Sequence, residues 1–300
     1  MASARMILLR QQVGPLVVAI GFAVGRTLGD AEAWFPLSWP SPLTLSLLAG
    51  LLLAFALRPV MTRLPWSRPT GALLGLALLV CLGPAADWPL HWLLDALGLQ
   101  TLPPGSAHAA GFELAGALVA AMLIGLVYAQ PIGGITPANL WARLGVRGRG
   151  YWLGRLAVLA ALAVLVRLLV GWLDAAWWMG ADTARAPLLA PNGWALLHMA
   201  WAGGSGPVAL LLGGLWLRAL VTFLPLLAIP LVLRAKVSQY LMVFAILLFV
   251  LGEFAPLMLD QPYFSGTWLG LRVAMGLLVS IVLGGAMAWA FRDRSLSVRA

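Results

Sequence analysis

Charge is scarce in this 300-residue chain: Asp, Glu, Lys and Arg make up 10% of it, against 62% hydrophobic residues and a mean hydropathy of +0.95. So little polar surface cannot enclose a water-soluble core, so most of the chain is solvated by lipid. Cysteine is nearly absent. The single Cys81 excludes an intrachain disulfide and, lying in an apolar run, reads as a buried structural thiol. Histidine is limited to His91, His108 and His198. With Asp87, Asp95 or Glu113 these are zinc-type ligands by chemistry, but none forms an HxxxH or HExxH pair, and no metal site is predicted. Phosphate loops, dinucleotide fingerprints and paired-aspartate prenyl-diphosphate motifs are missing, since Gly133-Gly134 follows Pro131 with no strand before it. The sequence indicates no cofactor.

What is present is a series of apolar segments. A helix needs about 20 such residues to span the hydrocarbon core. Eight candidates follow in order: Arg10 to Leu28, Pro42 to Leu57, Gly71 to Ala86, Ala109 to Gln130, Leu153 to Leu173, Pro207 to Leu233, Ser238 to Leu259 and Leu269 to Phe291. The predicted fold is therefore an all-α polytopic integral membrane protein of about eight transmembrane helices, a single domain over 1–300. Asp87, His91 and Asp95 recur every fourth residue, so Trp88 to Leu99 is expected to be a short interfacial helix with one polar edge. Pro187 to Trp201 is a second such stretch, cut from the sixth crossing by Gly203-Gly204-Ser205-Gly206-Pro207. A competing sixth crossing, Trp194 to Trp216, would move Arg218 to the cytoplasmic interface. Many of the 15 tryptophans, among them Trp88, Trp92, Trp194 and Trp268, flank apolar runs as interfacial anchors do.

Of the 19 Lys and Arg residues, 14 fall on one side of this threading: Arg5, Arg10, Arg58, Arg63, Arg68, Arg143, Arg147, Arg149, Arg155, Arg234, Lys236, Arg292, Arg294 and Arg299. The opposite loops hold Asp30, Glu32, Asp87, Asp95, Asp174, Asp182 and Asp260, with Arg185. Excess positive charge marks the cytoplasmic side, so both termini are expected inside a bacterial inner membrane. Arg5 and Arg10 before Pro15 to Val24 also suit a signal peptide, although its removal would leave an odd number of spans. The positive charge lies in short loops and not on one folded face, which argues against nucleic acid as a partner.

Six ionisable residues do not fit the loops: Arg26, Glu113, Arg167, Arg218, Glu253 and Arg272. Charges at such depth cost about 2.5–3.5 kcal/mol each on insertion scales, so they pair or line a wet cavity. Arg26, Arg167 and Arg272 lie near helix ends and are able to snorkel. Arg218, about 16 Å into its span, is not: with Glu253 it forms either a neutralising structural pair or part of a functional site. The set, four positive and two negative, predicts an outward-facing, net cationic pocket. Arg218 and Arg272 would hold an anionic group, Arg167 and Arg26 would stand at the mouth, and Glu253 and Glu113 would orient them or exchange protons.

That pocket implies a transporter or lipid-handling protein for an anionic or amphipathic substrate, with membrane lipids as neighbours. Two alternatives remain open: an enzyme acting on a lipid-linked substrate at the outer leaflet, with His91, His198 or Glu113 as acid or base, and a non-catalytic subunit whose buried charges pair with a membrane partner. Gly204-Ser205-Gly206 resembles the serine motif of rhomboid intramembrane proteases, but no histidine follows His198 to act as its base. Cys81 has no positive neighbour in sequence to activate it as a nucleophile.

Overall fold

A computed structural model describes residues 2–28, 41–63, 65–98, 106–129, 134–145, 148–178, 193–233, 235–259 and 266–292. Its helices are α1 (Ala2–Thr27), α2 (Pro42–Arg63), α3 (Arg68–Leu82), α4 (Trp88–Ala96), α5 (Ser106–Val127), α6 (Pro137–Gly145) and α7 (Arg149–Trp178). They continue with α8 (Gly193–Ala202), α9 (Ser205–Leu226), α10 (Ala228–Val232), α11 (Val237–Phe249), α12 (Ala255–Leu259) and α13 (Gly266–Ala290). A 3-10 turn, Pro84–Asp87, joins α3 to α4, and a π-helical turn, Val250–Phe254, joins α11 to α12.

The chain is a multi-pass, all-α membrane protein. Among the described residues six helical stretches are long and apolar enough to cross a bilayer: Pro42–Arg63, Ala107–Val127, Gly150–Leu173, Ser205–Val232, Val237–Leu259 and Leu269–Ala290. A seventh is reached by counting α3 and α4, bent by 64°, as one broken span. The expected count of about eight is not reached among the described residues, where Gln12–Thr27 of α1 counts only as a shorter apolar helix and α3, with 15 residues, counts only together with α4. The sixth crossing starts at Ser205 and not at Trp194, because the chain breaks at Gly204, whose φ of +96° suits glycine. Part of the predicted second interfacial stretch, 187–192, lies outside the described residues.

Lipid-facing stripes explain the exposed apolar surface. On α5, Leu114, Leu118, Met122 and Leu126 repeat every fourth residue and are all exposed. Such a stripe would be an aggregation patch in water and is ordinary in hydrocarbon. The opposite face packs through small residues. Gly116 of α5 meets Phe22 O and Arg26 of α1, Gly125 meets Arg68 O and Ala72 of α3, and Gly284 of α13 meets Ala245 of α11. A Cβ at any of the three would come within 3.0 Å of a neighbour, so close helix approach depends on its absence. Gly111 of the same helix as Gly116, by contrast, faces open space.

One end of the bundle gathers most of the basic loops. The backbone at Pro65–Ser67 pairs with Ile135 in a short parallel bridge, with Ser67 N–H donating to Ile135 O at 3.2 Å. Gly134 enters that bridge at φ +92°, where a Cβ would strike Pro65 O. Arg143 of α6 donates to Leu231 O at 2.9 Å, and Arg155 of α7 donates to Ala290 O and stacks over Tyr151 at 4.2 Å. Gly14 of α1 packs on Val127 and Tyr128 at the end of α5. Near their respective ends, α1 and α13 thus lie at this same basic face. α6 itself, a surface helix with no buried residue, falls where the sequence predicted only a loop.

Candidate functional site

Irregular backbone gathers partway along the bundle. Gly83 ends α3, and Pro84 and Pro89 lack the N–H that a continuing helix needs, so the chain turns through the 3-10 segment before α4 resumes. The break is not at the bundle end. Thr222 of α9 donates to Cys81 O at 3.1 Å, and Thr222 follows Ser205 by 17 residues, about 25 Å along its helix. Leu93 of α4 then fills the space a Cβ at Gly214 would need, so α4 climbs obliquely along α9. Beneath α4 lies a satellite core of Leu90, Leu94, Leu196, Ala200, Leu211 and Leu215.

Facing this break is the π turn that carries Glu253. It widens the helix between α11 and α12, and the packing of the Glu253 Cβ at 3.0 Å from where a Gly276 Cβ would stand brings it close to α13. A π turn inside an α-helix is uncommon and often marks a functional position. No sequence signal announces it; Gly252 is the one hint.

Charge pairs connect these elements in two groups. In the first, Arg26 Nη2 lies 3.6 Å from Glu113 Oε1 and its Nη1 donates to Ser46 Oγ at 3.0 Å, while Trp88 Nε1 donates to Glu113 Oε2 at 2.6 Å. His91 meets Trp88 edge-on, with ring centroids 5.8 Å apart. In the second, Arg218 pairs with Asp87, and Arg167 Nη2 donates to Glu253 Oε1 at 3.4 Å. Asp87 and Trp88 are sequence neighbours, so a single kink feeds both groups.

Arg167, Arg218 and Glu253 of the second group line a small cleft of about 30 Å³. Its walls include Cys81, Arg167, Arg218, Thr222, Glu253 and Ser280. Two donors there are closed off from solvent and have no hydrogen-bond partner among the described residues: Arg218 Nε and Ser280 Oγ. Ser280 is 1% exposed and the Arg218 side chain 17%, so neither is compensated by bulk water. A buried donor left unmatched costs about 1–3 kcal/mol, which makes the pair a place where an acceptor is wanted.

Of the six predicted site residues, Arg167, Arg218 and Glu253 meet in the cleft. Arg26 and Glu113 form their own knot beside it, paired and not snorkelling. Arg272 does not line the cleft. Asp87, which the threading assigned to a water-filled outer loop, is Arg218's ion-pair partner in place of Glu253. The cleft wall holds two arginines and one carboxylate, and Asp87, outside the lining, pairs with Arg218. Ser280 was missed because a serine in an apolar span carries no signal until its neighbours are known. Among the described residues no three of His, Cys, Asp and Glu come together as a metal-binding group. Set against family models, curated proteins and solved structures, the chain matches none of them.

Proposed function

We propose that this protein is a transporter or lipid-handling protein of a bacterial inner membrane, which binds an anionic or amphipathic substrate in the cleft of Arg167, Arg218 and Glu253. The observation that carries this reading is the coincidence of two helix irregularities at one charged cleft within the membrane-crossing bundle. Non-helical backbone at membrane depth is tolerated where it lines a protein-enclosed or watery cavity. Discontinuous helices that point freed backbone groups and charges at a midplane site are the usual construction of secondary transporters. The α3–α4 break and the Glu253 π turn supply both features, and the unmatched donors of Arg218 and Ser280 supply the demand for a ligand acceptor.

The accompanying topology has eight crossings, with α1 and the broken α3–α4 unit included, and the basic face toward the cytoplasm. The 26 residues of α1 reach about 39 Å, and Gly25 and Gly50 allow it to pack tightly on α5 and α2. Replacement Arg218→Ala or Glu253→Gln is expected to abolish substrate binding or transport by protein that still purifies as a folded monodisperse species. Full activity of both variants would remove the cleft from consideration.

A further inference from the structure

We infer that the cleft accepts a zwitterionic head, with its anionic group held by Arg218 Nε and Ser280 Oγ and its cationic group beside Glu253. This rests on the proposed binding role of the cleft and narrows it. Three observations lead there. Both cleft arginines are already paired, Arg167 with Glu253 on the wall and Arg218 with Asp87, which stands outside the lining. A bare anion would leave an uncompensated charge in surroundings of low dielectric, whereas a zwitterion adds none.

Two unmatched atoms belong to the cleft wall. Arg218 Nε donates only and Ser280 Oγ is able to donate, so an oxygen-bearing acceptor would satisfy both. Glu253 offers the complementary sign. Its Oε1 takes one arginine N–H at 3.4 Å, long for a charge-assisted bond, and a carboxylate has room for several donors.

Spacing supports a single two-charged group. Ser280 follows Gly276 by one helical turn on α13, and Gly276 is the residue against which Glu253 packs. Ser280 and the position against which Glu253 packs are therefore neighbours on one helix face, with a Cβ spacing of about 5–6 Å. That suits a head whose opposite charges are separated by a few bonds. Entry requires the lining side chains to part, since both donors are covered. The head of a zwitterionic phospholipid and a free amino-acid-like solute share this chemistry.

The test uses the full chain in dodecyl maltoside, titrated calorimetrically with glycerophosphocholine, glycine betaine, glycerol 3-phosphate and choline. At least one of the two zwitterions is expected to bind about tenfold more tightly than the anion or the cation. Preference for glycerophosphocholine assigns the lipid head, and preference for glycine betaine assigns the free solute. Ser280→Ala should weaken that binding about fivefold with an unchanged unfolding midpoint. Glu253→Gln should reverse the selectivity toward glycerol 3-phosphate, an outcome that simple loss of structure does not produce. Tighter binding of glycerol 3-phosphate by the unaltered protein, lost in Arg218→Ala, would overturn the zwitterion and leave the anion-binding cleft standing. Absence of any Arg218-dependent binding would overturn both.

Discussion

Glu113 shows how a single carboxylate is kept inside an apolar helix. Trp88 gives it a hydrogen bond at 2.6 Å and Arg26 a charge at 3.6 Å, while Arg26 is steadied by Ser46. Breaking one partner of a buried polar group costs more than the bond contributes, because the remaining group stays desolvated. Trp88→Phe is therefore expected to lower stability by about 1–3 kcal/mol, read as a depressed unfolding midpoint in detergent. In the Glu113→Gln background the same change should cost clearly less, since no charge is stranded. Equal losses in both backgrounds would mean that Trp88 acts only through packing. At this scale the sequence identified Arg26 and Glu113 as charges out of place, but their contact joins helices separated by 87 residues and has no spacing rule.

Two elements depart from regular helix, and the sequence foretold them unequally. Gly83-Pro84 and Pro89 are strong breakers, so an interruption after the third apolar run could be read directly, as could the short helix from Trp88. Its depth could not. Hydropathy placed Asp87 in a loop by itself, whereas its ion pair with Arg218 ties it to α9, with its side chain still 40% exposed. The π turn at Val250–Phe254 was invisible, because an uninterrupted apolar run reads as one plain helix. Since a π turn amounts to one residue inserted into an α-helix, deleting Gly252 should restore a regular helix and rotate Glu253 away from Arg167. The expected result is a protein with unchanged helical circular dichroism and no ligand binding. Retained binding in that deletion would show that the π geometry is dispensable.

For the whole molecule, the basic face and the charged cleft partway along the bundle have different tasks. Arg143, Arg155 and the Pro65–Ser67 bridge fasten the helices at the basic end. Orientation is open to chemical labelling. In a Cys81→Ala background, Asn139→Cys on α6 and Ala96→Cys at the end of α4 are both at exposed positions on opposite sides of the expected topology. A membrane-impermeant maleimide should modify position 96 in intact cells and reach position 139 only after lysis. The reverse pattern would invert the proposed topology, and labelling of both in intact cells would remove the even count of crossings.

Composition and hydropathy by themselves determined that the chain is helical, multi-pass and lipid-solvated, because burying or dissolving long apolar runs is a local energetic demand that each segment meets alone. They also marked which charges stand out, since a charge in an apolar run is costly whatever surrounds it. Tertiary structure decided the partners: Asp87 for Arg218, Arg167 for Glu253, Trp88 and Arg26 for Glu113. Those pairings depend on how helices distant in sequence are set beside one another, and on the backbone irregularities that turn each side chain inward. The same packing set Asp87 against Arg218 and brought Ser280 to the cleft wall, where an acceptor is wanted.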